Sequence, residues 1–127
     1  MAESMTPTVF QPGLRRPVTK VVLAWVSSAG GTVTQTTTFK VSGLLRRVVT
    51  VPSATVAPTA DYDVVIEDSD GLDILNAAGA DRHTTNTEVI APLISTYGPM
   101  LVSETALTLK VTNAGAAKAG TIYLFFD

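Results

Sequence analysis

Hydrophobic residues in this chain recur at every second position, in short runs that are separated by turn residues. In residues 61–68, Tyr62, Val64 and Ile66 alternate with Asp, Val and Glu, and residues 106–112 repeat this alternation with leucines, valine and threonines. A period of two places one set of side chains on one face of a β-strand. No ten-residue stretch has the period of an amphipathic helix. We therefore predict an all-β chain.

The number and spacing of these runs predict how the strands are organised. Seven or eight short strands are separated by turn signals about every 8–12 residues, which is typical of β-sandwiches. Threonine, with 19 copies, and valine, with 16, suit the pleated surface of a sheet. At 127 residues the chain suits one domain. We predict a single antiparallel β-sandwich, jelly-roll-like, over residues 18–127, preceded by an extended N-terminal arm over residues 1–17.

The predicted arm contains three prolines and no hydrophobic period. Proline lacks the N–H group that a central strand needs, so neither a helix nor a central strand is expected there. In an assembled protein the arm would lie on a neighbouring subunit, with Phe10 as an anchor and Arg15 and Arg16 as its charged end. The alternative is a disordered terminus.

The first three predicted strands cover residues 18–26, 32–41 and 44–51, and we expect them to pair as a meander. The first has apolar residues on both faces, which predicts a central strand with Trp25 in the core. In the third, the residues expected to face inward are Leu45, Val49 and Val51. The alternating run in residues 106–112 and the run that begins at residue 121 are predicted to form a C-terminal hairpin.

Two pairs of adjacent residues are predicted to divide between the faces of their strands. Because neighbours on a strand point to opposite sides, at least one of Arg46 and Arg47 should border the core. For the same reason one of Phe125 and Phe126 should lie outside the core, beside Tyr123. An exposed aromatic patch usually marks a contact, so this side of the sheet is predicted to be a subunit interface.

Charge is distributed unevenly along the chain. Residues 1–60 carry six cations against one acid, a balance of +5, whereas residues 61–127 carry three cations against ten acids, a balance of −7. Seven of the eleven acids lie in residues 61–82, and they include Asp68, Asp70 and Asp73 around an Asp-Gly turn. We expect the two halves either to neutralise each other within one subunit or to meet head to tail between subunits.

The acidic turn invites a calcium site, but its spacing does not support one. If Gly71 takes the sixth position of an EF-hand loop, Ile66 and Ala77 fall where carboxylates are needed. A site of another kind, built from Asp68, Asp70 and Asp73, is the alternative to a solvated turn. His83 is the single histidine and there is no cysteine, so one chain has no histidine or thiolate zinc site. No metal and no cofactor are predicted.

The chain also lacks the sequence signals of several other functional classes. No serine stands in a nucleophile-elbow motif, and no glycine-rich sequence lies between a strand and a helix, so the protein is predicted not to be an enzyme. Net acidity and the absence of aromatic residues beside the arginines argue against nucleic acid. No apolar run approaches the length that spans a bilayer, and no secretory signal is recognised, so neither a membrane location nor Sec export is expected.

Two stretches of the chain carry the features of a known family. They read YDVVIEDSDGLDILNAAGADR from residue 62 and LTLKVTNAGAAKAGTIYLFFD from residue 107. Together these stretches resemble small β-rich proteins that are encoded with the structural genes of tailed bacteriophages. They cover somewhat over a third of the chain, and the first three predicted strands are compatible with the family but carry no signature of it.

The resemblance implies a virion component, most simply a capsid decoration or cement protein. Such a protein would be made in the host cytoplasm, assemble as a dimer or trimer, and bind the major capsid protein or another virion protein on the capsid exterior. The residues predicted to make these contacts are Phe10, Arg15, Arg16, Arg46, Arg47, Asp68, Asp70, Asp73 and Phe125. The alternatives are a tail, fibre or head-tail junction component, or a carbohydrate-binding or receptor-binding module that uses exposed aromatic residues. Besides the phenylalanines, the candidates for stacking on a sugar are Trp25, Tyr62, Tyr97 and Tyr123.

Overall fold

The fold is all-β and antiparallel, as predicted. A computed structural model describes residues 2–10, 18–94 and 98–127, and these residues contain no helix. Within them lie ten strands: β1 (Ser4–Phe10), β2 (Thr19–Val26), β3 (Val33–Thr36), β4 (Val41–Pro52), β5 (Asp63–Glu67), β6 (Glu88–Ile90), β7 (Leu93–Ile94), β8 (Gly98–Thr105), β9 (Thr108–Thr112) and β10 (Ala119–Phe126).

The strands form two sheets that contribute to one hydrophobic core. The larger sheet has the order β1-β2-β10-β4-β8-β7, with β6 also paired to β4, and the smaller has the order β3-β9-β5. Trp25 of the larger sheet lies 5.8 Å from Tyr62, which directly precedes β5, measured between ring centroids. Both side chains are almost fully buried. The largest buried side chains of the core are Trp25, Tyr62, Phe126, Leu23, Leu45, Ile66, Ile74, Leu75, Leu107, Leu109, Ile122 and Leu124.

The alternation in the sequence predicted correctly the buried faces of residues 62–66 and 107–111, and Trp25 lies in the core as predicted. In β2, Val21 and Leu23 are buried beside Trp25, and of the two adjacent phenylalanines in β10 it is Phe126 that is buried. Two further buried sets are Tyr62, Val64 and Ile66 around β5, and Leu107, Leu109 and Val111 around β9. Side-chain faces are predictable because burial of apolar surface selects one register of the pleat.

The predicted pairing of the strands is wrong in two places. In place of a meander, β2 pairs with β1 and β10, whereas β3 belongs to the smaller sheet and pairs with β9. The C-terminal hairpin is also absent: β9 pairs with β3 and β5, and β10 pairs with β2 and β4. Residues 113–118 therefore cross from one sheet to the other instead of closing a hairpin.

A β-bulge in β4 explains a further difference from the prediction. The pairing with β10 shifts register between Phe125 and Phe126, so that Phe125 pairs with Arg47 while Phe126 pairs with Leu45. The extra residue, Arg46, has no counterpart in β10, and both arginines are exposed. After the bulge Val48 and Thr50 face the core, and the predicted inward residues Val49 and Val51 point outward.

Residues 4–10 of the predicted arm form β1, an edge strand that pairs with β2 of the same chain along its whole length. Pro7 lies in the middle of this strand, opposite Leu23. An edge strand tolerates proline because one side of the strand needs no donor. Arg15 and Arg16, the charged end of the predicted arm, lie outside the described residues.

Candidate interaction surface

The larger sheet has an outer face, formed by the side chains that point away from the core. Register defines its first row, which crosses five strands from β6 to β1: Val89, Val49, Tyr123, Val22 and Thr8. Val89 is 66% exposed, and the next three side chains are half-buried against their neighbours in the sheet. From Val89 to Val22 this row is a continuous apolar strip that no other part of the described chain covers.

The next row of the outer face, here called the basic–aromatic row, joins Phe10, Lys20, Phe125 and Arg47 across four strands. The Lys20 ammonium nitrogen lies 5.8 Å from the ring centroid of Phe10 and 5.9 Å from that of Phe125. It is closer, at 4.9 Å, to the ring of Tyr123 in the first row. The Arg47 guanidinium lies 4.2 Å from the Phe125 ring. Cation–π attraction holds both cations against the aromatic rings.

Two further rows of the outer face are small and uncharged. One contains Thr6, Ala24, Thr121 and Val51, and another contains Ser4, Val26 and Ala119. Lys20 and Arg47 are thus the only charged residues of these four rows, and both are cations. These four rows combine an apolar strip, small uncharged residues, and aromatic rings with positive charge at one end, a composition that resembles an interface more than a solvated surface.

A shallow cleft lies beside the basic–aromatic row. It has a volume of about 210 Å³ and is lined by Val18, Arg46, Arg47, Phe125, Phe126 and Asp127. Val18 is 45% exposed at its edge. The Arg46 Nε donates to Asp127 Oδ1 at 2.8 Å, so this arginine is already paired, whereas Arg47 contacts the Phe125 ring. The cleft therefore has apolar walls, and the Arg47 guanidinium at its edge contacts the Phe125 ring.

The outward side of the smaller sheet has the opposite chemistry. Its rows contain Thr36, Thr108 and Glu67, then Thr34, Lys110 and Val65, then Thr112 and Asp63. Lys110 Nζ lies 2.9 Å from Glu67 Oε1, and Asp63 accepts hydrogen bonds from Asp81 N and Asn113 Nδ2. Threonines and paired charges are suited to water. The contrast between the two exposed faces indicates that the outer face of the larger sheet is the one that suits contact with another protein.

The carboxylates of the acidic turn differ in how they are used. Asp68 Oδ1 accepts from the amides of Asp70 and Leu72 at 2.9 and 3.0 Å, which fixes the turn. Asp73 accepts from three amides, those of Ile66 and Leu75 at Oδ1 and that of Ala77 at Oδ2. The Asp70 side chain is exposed at the tip, next to Leu72, which is 64% exposed.

Two of the three aspartates therefore serve the backbone of their own loop. Within residues 2–10, 18–94 and 98–127, no three histidine, cysteine, aspartate or glutamate side chains are grouped so as to hold a metal ion. His83 likewise serves its loop, because its Nδ1 accepts from the amides of Thr85 and Asn86 at 3.1 and 2.9 Å.

The predicted contact residues thus separate into three groups. The structure brings Phe10, Arg47 and Phe125 together in one row, and it places Arg46 at the neighbouring cleft. The group Asp68, Asp70 and Asp73 lies in the turn after β5, and the ion pair of Arg46 is made with Asp127, not with this turn. Arg15 and Arg16 are not among the described residues.

Sequence reasoning placed Val49 and Val51 of the outer face inward, and it did not identify Lys20, Val22 and Val89 as members of this face. A signal for Lys20 and Val22 was present, since apolar residues on both faces of residues 18–26 predicted that the second face would also be covered. Val89 had no such signal, because its strand has only three residues and its place in the face depends on the pairing with β4.

Comparison with protein-family models, curated proteins and solved structures finds no match to this chain. In the part of the chain that the structure describes, no helix is long and apolar enough to cross a membrane.

Proposed function

We propose that this chain is a structural protein of a bacteriophage virion, a capsid decoration protein that forms homo-oligomers and binds the lattice of the major capsid protein on the capsid exterior. The proposed subunit is a jelly-roll-like β-sandwich, with its N-terminal segment as the arm. The observation that carries the proposal is the outer face of the larger sheet, which has an apolar strip and a basic–aromatic row that the described residues leave uncovered. The resemblance of residues 62–82 and 107–126 to phage structural proteins supports the choice of partner.

Binding to a lattice suits a surface of this size. Four rows across three to five strands cover only a few hundred Å², since strands lie about 4.8 Å apart and residues rise about 3.3 Å. Such an area is at the low end for a stable pairwise complex. An oligomer that meets several equivalent capsid sites gains effective concentration from each contact, so weak individual contacts add up to firm attachment.

The test is binding of the purified protein to capsids that lack a decoration protein, measured by co-sedimentation. We expect saturable binding, and at least a tenfold loss for Val89→Asp because a carboxylate is placed in the apolar strip. Val56→Asp is the matched control, since Val56 is also exposed but lies outside the outer face; it should bind like the unmodified protein. A protein that is strictly monomeric at high concentration and does not bind capsids would refute the proposal.

The tail, the fibre and the head-tail junction are alternative locations of the protein in the virion, because the same face could bind subunits of any of them. A carbohydrate-binding or receptor-binding module is the alternative from another class. Trp25 and Tyr62, two of its candidate stacking residues, are buried, and Tyr97 lies outside the described residues. Tyr123 and Phe125 on the outer face are what favours it. Strong and specific hits on a glycan array, lost in Tyr123→Ala, would support this alternative.

A further inference from the structure

We propose that the basic–aromatic row and the cleft beside it bind the turn of residues 68–72 from a second copy of this chain. The inference deepens the proposed function, since it names the contact by which the homo-oligomer forms. It leaves the apolar strip from Val89 to Val22 for the capsid.

The receiving surface lacks a carboxylate for its exposed cation. Arg46 is paired with Asp127 at 2.8 Å, but the ion pairs of the described residues do not include Arg47 or Lys20, which rest on aromatic rings. Beside Arg47 the cleft offers about 210 Å³ between Val18 and Phe125. That space has room for one branched aliphatic side chain. The surface therefore fits an occupant that presents an aliphatic side chain next to a carboxylate.

The turn of residues 68–72 presents this combination. Leu72 is 64% exposed, although leucine usually faces the core, and Asp70 lies exposed beside it. The space around Gly71 is open, because no atom outside residues 70–72 lies within 4 Å of the position that a Cβ would take, so the turn projects from the surface. The bonds from two amides to Asp68 hold it in one conformation, which lowers the entropy lost on docking.

Charge complementarity favours contact between the basic–aromatic row and the turn of a second copy over contact between the outer faces of two copies. Two outer faces placed against each other would bring Lys20 and Arg47 into a contact whose four rows contain no acid. The turn instead supplies Asp70 to Arg47 and Leu72 to the cleft. Each chain carries one turn and one cleft, so copies can pair reciprocally as a dimer or close a ring such as a trimer.

Cysteine cross-linking tests the contact directly, because the chain contains no cysteine. A Leu72→Cys chain is mixed with a mass-labelled Val18→Cys chain under mild oxidation, and the mixed disulfide is quantified by mass spectrometry. Val89→Cys replaces Val18→Cys in the control, since Val89 is at least as exposed but lies at the far edge of the outer face. We expect at least tenfold more product with Val18→Cys. Equal yields from the two mixtures would overturn the inference.

Charge reversal provides a second readout, the dissociation constant of self-association measured by analytical ultracentrifugation. Arg47→Glu and Asp70→Lys should each weaken self-association at least tenfold, and an equimolar mixture of the two variants should recover it through the reversed pair. Asp81→Lys is the control for net charge, since Asp81 is also exposed and lies in the acid-rich segment 61–82 but outside the turn of residues 68–72. Loss with Asp81→Lys equal to that with Asp70→Lys, or no recovery in the mixture, contradicts the inference.

The outcome is separable from that of the proposed function. If the protein self-associates and binds capsids without the Leu72 to Val18 cross-link, the docking mode is wrong and the decoration role stands. If the cross-link forms and capsids are not bound, the docking mode is right and the role as a decoration protein is wrong.

Discussion

At the scale of single residues, Gly120 makes room for Trp25. The position that a Cβ would take on Gly120 lies 2.7 Å from Cζ2 and 2.9 Å from Cε2 of the Trp25 ring. Real Cβ atoms do not approach an aromatic carbon so closely, and the buried Trp25 ring also packs against Tyr62, with 5.8 Å between the ring centroids. The sequence predicted that Trp25 lies in the core, but the need for glycine opposite it depends on the pairing of β2 with β10.

We predict that Gly120→Ala destabilises the protein by about 1–3 kcal/mol, the usual cost of forcing extra atoms into a packed core. Urea unfolding followed by the fluorescence of Trp25, the single tryptophan, measures this free energy. Gly30→Ala is the matched control, because a Cβ there would have an ordinary 3.7 Å contact with Ser28; its effect should stay within about 0.5 kcal/mol. Equal effects of the two substitutions would contradict the packing argument.

Tyr62 links the core to pH. Burial raises the pKa of the Tyr62 hydroxyl above its ordinary value of 10.0. In the unfolded chain the hydroxyl loses its proton near pH 10, whereas in the fold it keeps the proton to higher pH. The folded state therefore binds more protons than the unfolded state above pH 10, so the free energy of unfolding falls as pH rises there. At neutral pH the hydroxyl is protonated in both states and contributes no pH dependence.

We predict that the unfolding free energy of the unmodified protein falls between pH 9 and 11 and that Tyr62→Phe removes part of this fall. Urea denaturation at a series of pH values measures it. Tyr123→Phe, on the outer face, keeps Tyr62 and should reproduce the pH dependence of the unmodified protein. Parallel curves for the unmodified protein and Tyr62→Phe would show that the buried hydroxyl does not contribute.

At the scale of elements, the loop after β5 is organised by one carboxylate. Asp73 accepts hydrogen bonds from three amides, which lie 3.2, 3.0 and 2.9 Å away. The loop thereby covers the free edge of β5, where Val64 and Ile66 also exchange backbone bonds with loop residues. An edge that is covered in this way is not available for strand addition. The sequence predicted a turn here, but not that an aspartate would bind the neighbouring strand.

We predict that Asp73→Ala costs about 2–4 kcal/mol of stability, because three amides lose a charged acceptor. The stability of Asp73→Asn should lie between that of the unmodified protein and that of Asp73→Ala, since the asparagine keeps one carbonyl oxygen as an acceptor. Asp70→Ala, in the same acidic turn but exposed, is the control and should change stability by less than about 0.5 kcal/mol. Urea unfolding gives the free energies. Hydrogen exchange of the Leu75 and Ala77 amides should accelerate in Asp73→Ala alone, and unchanged exchange would rule out this role.

The bulge in β4 marks what local alternation cannot predict. Leu45 and Val48 both face the core although they are three positions apart, and a regular strand would place residues at this odd spacing on opposite faces. Only the partner strand shows that Arg46 is an inserted residue. The consequence is functional: the bulge exposes Arg46 and Arg47 together at the cleft, where a regular strand would have turned one arginine toward the core.

At the scale of the whole molecule, the alternation predicted the fold class and most buried faces, but not the topology. Both β9 and β10 have clean alternation, and a short loop joins them, so a hairpin was the local expectation. The buried residues instead place them in different sheets, with Leu109 and Leu124 in the same core. Which strands pair is decided by contacts between distant residues, which a local pattern does not contain.

This shared core has a thermodynamic consequence, which is the last prediction. Leu109 of the smaller sheet and Leu124 of the larger sheet are both fully buried in one cluster. Each sheet therefore shields the apolar face of the other from water, and neither sheet should stay folded alone. We expect Leu109→Ala and Leu124→Ala each to cost about 2–5 kcal/mol and to lower one common unfolding transition. Far-UV circular dichroism and Trp25 fluorescence should give the same midpoint for each variant.

Val89→Ala, on the outer face, is the control and should leave the midpoint nearly unchanged. If Leu109→Ala separates the two signals, so that the smaller sheet melts while Trp25 stays buried, the sheets are independent units and the single-core description fails.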